Sequence, residues 1–138
     1  MRLGSTPELA GRVYRTAMAH GLLRIRTNLE VRDVGRSVAF YQRVLGLDPV
    51  VTMGEPATFA ILAADDASMA IAEAEQPAVA AITACYVDVV DVEAAHQRCR
   101  EAGAEVSAAV TTHPWGMRDF VFRDLDGHQI AVGQRVEA

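Results

Sequence analysis

From residue 25 the chain alternates. Ile25, Thr27, Leu29 and Val31 are separated by Arg26, Asn28 and Glu30, the period-two pattern of a strand with one face buried. After Asp33 the period changes. Val34, Val38, Tyr41 and Leu45 recur at helical spacing, with Phe40 and Val44 widening the apolar stripe. Asp33 is placed to cap this helix by accepting from a free backbone N–H, and Gly46 supplies the left-handed residue that ends it. Three shorter strand candidates follow, at 49–53, 58–63 and 68–72.

The pattern is then written a second time. Cys85, Val87 and Val89 alternate with Ala84, Tyr86 and Asp88; Asp91 is the second cap; Val92, Ala95, Cys99 and Ala102 form the stripe; Gly103 ends it. Strand candidates follow at 105–112, 117–123 and 129–134, the last opening after the tight-turn signal DLDG. The caps at 33 and 91 and the glycines at 46 and 103 keep nearly the same spacing. Both halves therefore read β-α-β-β-β, an internal duplication. The expected fold is α+β, with tandem modules whose open sheet faces curve into one shared cup. One domain is expected over 23–138, with repeats at about 23–73 and 82–134 and a linker at 72–81. Before it, Thr6, Pro7, Leu9, Val13 and Ala17 predict a helical extension within residues 1–22.

Composition narrows the function classes. A formal net charge of −5 over 138 residues offers no basic stripe for phosphates, so nucleic acid is not an expected partner. No apolar run approaches the roughly 20 residues that span a bilayer, and no membrane association is expected. Cys85 and Cys99 lack metal-binding or redox spacing and read as free thiols, which points to the cytoplasm.

Three stretches, VRDVGRSVAFYQRVLGL, VDVEAAHQRCREAGAEV and PWGMRDFVFRDLDGHQI, resemble the vicinal-oxygen-chelate superfamily, the glyoxalase / bleomycin-resistance / dioxygenase group. The likeness covers about residues 24–134. It implies the paired-module fold, and in the family's enzymes a divalent metal held by His, Gln or Glu on matching strands. Carried onto this chain, the first ligand position, seven residues before Asp33, is Arg26. Its counterpart before Asp91 is Ala84, and the carboxylate position past DLDG is Ala131. The remaining position falls on SMAIA, where Met69 to Ala72 bring no oxygen or nitrogen side chain; Glu73 serves only after a register shift. An arginine and alanines make no shell for a hard or borderline cation, so neither metal nor other cofactor is expected, and no catalytic residue is assigned.

The candidate ligand-binding residues are Arg26, Asn28 and Glu30 on the first long strand, Tyr86 and Asp88 on the second, and Trp115 in the HPWGMRD loop. Together they would give a polar wall with two aromatic faces. The plain alternatives are a self-satisfied network in which Arg26 pairs with Glu30 or Asp88, and an indole that merely lids the sheet edge. Among the histidines, His20 and His96 read as solvated. His113 and His128 read as exposed turn residues, with reach into the cup as the alternative.

The expected function is metal-independent binding of a small molecule, of the kind that sequesters an aromatic antibiotic, by a homodimer. The rival is a metal-dependent glyoxalase-type lyase, isomerase or dioxygenase. A binding domain for an endogenous metabolite stays open beside both.

Overall fold

The computed structural model describes residues 20–137. The helical extension expected over 1–22 lies outside the described residues, save for 20–22, which carry no helix. Two β-α-β-β-β modules follow. The first holds β1 (Thr27–Val31), α1 (Val34–Leu45), β2 (Asp48–Met53), β3 (Phe59–Ala64) and β4 (Ala67–Glu73). The second holds β5 (Cys85–Asp88), α2 (Val92–Glu101), β6 (Glu105–Thr112), β7 (Met117–Arg123) and β8 (Gln129–Arg135).

Each module is a four-stranded mixed sheet, ordered β1-β4-β3-β2 and β5-β8-β7-β6. The two hairpin-linked pairs in each are antiparallel, and the first strand lies parallel to the last. A helix between the first and second strands makes that parallel neighbour possible, because it carries the chain across one sheet face. The helix ends follow the sequence closely. Asp33 and Asp91 each accept from the N–H three residues on, at 3.0 and 3.1 Å. Gly46 and Gly103 follow the helices with φ of 71° and 74°.

Register fixes what each face carries. In the first sheet Leu29, Ile71 and Ala60 share a row on the helix side, and in the second Val87, Val132 and Phe120 do. These residues join the stripes of both helices in a single core in which Val31, Leu62, Ile71, Phe120, Phe122 and Ile130 are fully buried. The modules share it directly: α1 packs on α2, and Phe40 of the first half meets Phe122 of the second at 6.1 Å between ring centroids. Burying a side chain of this size contributes about 1.5–3 kcal/mol, so the inter-module contact is not incidental.

A polar latch closes the same seam. In the DLDGH turn between β7 and β8, Asp124 Oδ1 accepts from the N–H groups of Asp126 and His128, both at 2.9 Å. Its Oδ2 accepts from the Tyr41 hydroxyl at 2.6 Å. Asp126 Oδ1 accepts from the N–H and guanidinium of Arg32, and His128 Nε2–H donates to the Glu30 carbonyl at 2.7 Å. His128 is thus not an exposed turn histidine. It is 2% exposed, because its partner comes from the other module and buries it.

Candidate ligand-binding site

The open face of the second sheet carries a row formed by Asp88, Gly133, Asp119 and Thr111, and beside it a row formed by Tyr86, Ala131, Val121 and Ala108. Tyr86 leans across the first of these. A Cβ on Gly133 would overlap the Tyr86 hydroxyl, so only glycine leaves room for the phenol there. The hydroxyl donates to Asp119 Oδ2 at 2.9 Å, while His113 Nε2–H donates to Asp119 Oδ1 at 2.7 Å. One carboxylate therefore holds two rings. Desolvation against the sheet, then the Asp119 bond and charge, push the Tyr86 hydroxyl up to about 12, so it stays a donor at neutral pH.

His113 also opens the turn that joins β6 to β7. Its carbonyl accepts from Gly116 N–H at 3.1 Å and its N–H donates to the Met117 carbonyl at 2.7 Å. Pro114 presets the first corner, and Trp115 takes the second. The imidazole and indole stack, with centroids 4.3 Å apart and planes 7° from parallel. Trp115 is nevertheless 68% exposed and Tyr86 44%. The indole has one face on imidazole and its other face toward solvent.

One hollow adjoins this face and another lies beside β1 and the linker. A groove of about 880 Å³ runs between the modules, lined among others by Ile25, Leu47, Met69, Cys85, Tyr86 and Asp88. Burial pushes the Cys85 thiol up, which disfavours the thiolate. A smaller hollow of about 440 Å³ is lined by Asn28, Glu30, Ala78, Ala80, Ala84 and His128. There Glu30 Oε1 accepts from the Ala78 N–H at 2.8 Å and ties the linker across β1.

The six sequence-derived candidates thus divide. Tyr86 and Asp88 border the groove, Asn28 and Glu30 line the smaller hollow, and Trp115 joins Tyr86 through His113 and Asp119. Arg26 pairs with neither Glu30 nor Asp88. Its Nε donates to Ser68 Oγ at 3.0 Å, because the parallel register of β1 on β4 puts Ser68 beside it. His96 differs from the solvated residue expected: it lies half-buried, edge-on to Phe120 at 5.0 Å, where α2 covers β7.

The ligand positions of the family's metal can be tested in place. Ala131 pairs with Tyr86, and the equivalent residue of the first repeat, opposite Asn28, is Ala70. Neither carries a donor, nor does Ala84, and Arg26 brings a fixed positive charge. Glu73 shares parity with Met69 and Ile71, on the helix side of an unbroken β1–β4 register, so no slip brings it to the open face. Among the described residues no three His, Cys, Asp or Glu side chains come together as a metal site. The donor set does not fit a divalent cation.

Asp119 and Gly133 were not singled out by the sequence pattern. The signal for Asp119 was present: it alternates out of phase with Phe120 and Phe122, so it faces away from the core. Its link to His113 needs the hairpin register, in which Thr111 lies opposite Asp119.

Among the described residues no helix is long and apolar enough to cross a membrane. No curated protein sequence matches the chain. Several solved structures share its fold. TioX from Micromonospora sp. ML1 is 23% identical, with a TM-score of 0.71 over 83% of this chain and 100% of its own. A glyoxalase-related enzyme from Clostridium phytofermentans is 14% identical, with a TM-score of 0.70 over 86% of this chain and 99% of its own. A bleomycin resistance determinant encoded on the transposon Tn5 is 21% identical, with a TM-score of 0.69 over 83% and 98%. At such identities the likeness establishes the fold and nothing finer. The family model itself matches residues 24–132, and by that match the chain belongs to the glyoxalase/bleomycin resistance protein/dioxygenase superfamily.

Proposed function

We propose that this protein is a metal-independent binding protein that sequesters a small aromatic molecule of the antibiotic type, in the cytoplasm and as a homodimer. The observation that carries the reading is Trp115: an indole backed on one face by His113, exposed on the other, and linked to the half-exposed Tyr86. A flat ring stacking on that free face gains about 0.5–1.5 kcal/mol beyond its area burial. The bleomycin resistance determinant of Tn5, which shares the fold, lends the reading a ligand class to test. A metal-dependent lyase, isomerase or dioxygenase would need donors that Arg26, Ala70, Ala84 and Ala131 do not supply.

The chain has one tryptophan, so its intrinsic emission reports this residue alone. Titration with bleomycin, and with other flat aromatic cationic drugs, is expected to quench or shift that emission saturably. Trp115→Ala is expected to weaken binding by about 1–3 kcal/mol, as a truncated aromatic contact does. Saturable binding that leaves the emission unchanged, with undiminished affinity in Trp115→Ala, would remove the indole from the site.

A further inference from the structure

We infer that Asp119 is a positioning residue for the binding face, setting the orientation of Trp115 through His113 and that of Tyr86 directly. The inference rests on the binding reading above but is tested without a ligand.

The turn around Trp115 is fixed through its backbone. His113 and Gly116 close it, the His113 N–H reaches the Met117 carbonyl, and Val136 N–H donates to the Gly116 carbonyl at 2.8 Å. None of those bonds orients the indole, whose ring is held by the stack on His113. The imidazole in turn is held, among the described residues, by the side chain of Asp119, whose Oδ1 accepts from Nε2–H at 2.7 Å. Rotating Asp119 out of place would release the imidazole, and the indole with it. Its second oxygen holds Tyr86 over Gly133, so both exposed aromatic surfaces depend on one carboxylate. With the His113 and Asp119 side chains only 26% and 16% exposed, water does not freely replace the bond. The hydrogen bonds of Asp119 go to His113 and Tyr86, and the stack on the indole is made by His113. It acts by removing rotational freedom before a ligand arrives, which spares the ligand the ordering cost.

The test is the fluorescence anisotropy of Trp115 in the ligand-free protein, excited where tyrosine does not absorb. Asp119→Ala and His113→Ala are each expected to lower the steady-state anisotropy and to raise the amplitude of its fast decay, and the double variant to fall no further than either single one, because both act through one stack. Asp119→Asn keeps an acceptor for His113 and is expected to restore most of the wild-type value. Where bleomycin binds, Asp119→Ala is expected to raise its Kd about 2- to 10-fold, the cost of ordering one side chain on binding. Unchanged anisotropy in a natively folded Asp119→Ala protein, or additive losses in the double variant, would overturn the inference. Failure of wild-type protein to bind bleomycin counts against the proposed function alone, since the anisotropy arm contains no ligand.

Discussion

Replacing Tyr41 with phenylalanine removes one oxygen from the seam between the modules and leaves the ring in place. Tyr41 is fully buried, and its hydroxyl is the donor to Asp124 Oδ2 at 2.6 Å. Asp124 is itself 8% exposed, and its two backbone donors both serve Oδ1. The substitution therefore strands a buried carboxylate oxygen. A hydrogen bond to a charged group contributes about 1.5–3 kcal/mol. With an unfolding entropy of about 2.1 cal/mol/K per residue, a chain of this length loses roughly 3–4 °C per kcal/mol, so Tm should fall by about 5–10 °C. The pH dependence gives a second reading. Burial, and then the Asp124 charge, push the Tyr41 hydroxyl far above the usual tyrosine range. Its folded pKa lies above its unfolded one, so its stabilisation is complete below about pH 10 and declines as pH rises beyond that, by about 1.4 kcal/mol per unit. Phenylalanine cannot ionise when unfolded. The gap in Tm between wild type and Tyr41→Phe should accordingly narrow above about pH 10, as thermal melts by circular dichroism would show. A Tm within 1 °C of wild type at pH 7, or a gap that does not change at high pH, would refute the latch as drawn.

Gly133→Ala should push Tyr86 off the sheet and overpack the open face, costing about 1–3 kcal/mol. Ultraviolet titration should then show the Tyr86 phenol moving down from about 12 toward an ordinary tyrosine, whereas an unmoved titration would mean that the phenol does not cross Gly133. Elemental analysis after dialysis against zinc, nickel, manganese or iron should find far less than one ion per chain; a tightly held equivalent would show that the donor positions have been misassigned. Light scattering should give twice the 14.9 kDa chain mass at working concentrations, and a monomer would count against the proposed dimer.

Much of the fold could be read from the chain because its determinants are local. Alternation marked β6 and β7 at 105–112 and 117–123, the same limits the structure gives. The caps Asp33 and Asp91 act within one helical turn, so their identity and position suffice. β1 begins two residues later than the alternation predicts, because its parallel ladder with β4 starts at Thr27 opposite Met69. β5 spans only Cys85–Asp88, although Ala84 and Val89 at its two ends still donate to the Gln129 and Gly133 carbonyls at 2.7 and 2.8 Å. The site was less legible for the opposite reason. Trp115 and Tyr86 stood out by type, but what joins them is Asp119, visible only once the β6–β7 and β7–β8 registers are known. His128 shows the limit most sharply. A polar residue in a tight turn is usually solvated, and only the arrival of Glu30 from the other module makes it an interior donor.

That same latch sets an order on folding. Tyr41 and Asp124 are 83 residues apart, and His128 and Glu30 are 98 apart, so the first module cannot satisfy its seam until almost the whole domain has been synthesised. At about 5–20 residues per second, an emerging first module waits some seconds with Phe40, Tyr41 and the inner face of α1 uncovered. Closing so distant a pair costs loop entropy before any contact rewards it, so the seam is expected to form late in folding. The last hairpin then acts as a clasp. A chain cut short before the DLDGH turn would retain most of its strands and still lack the piece that fastens its two halves together.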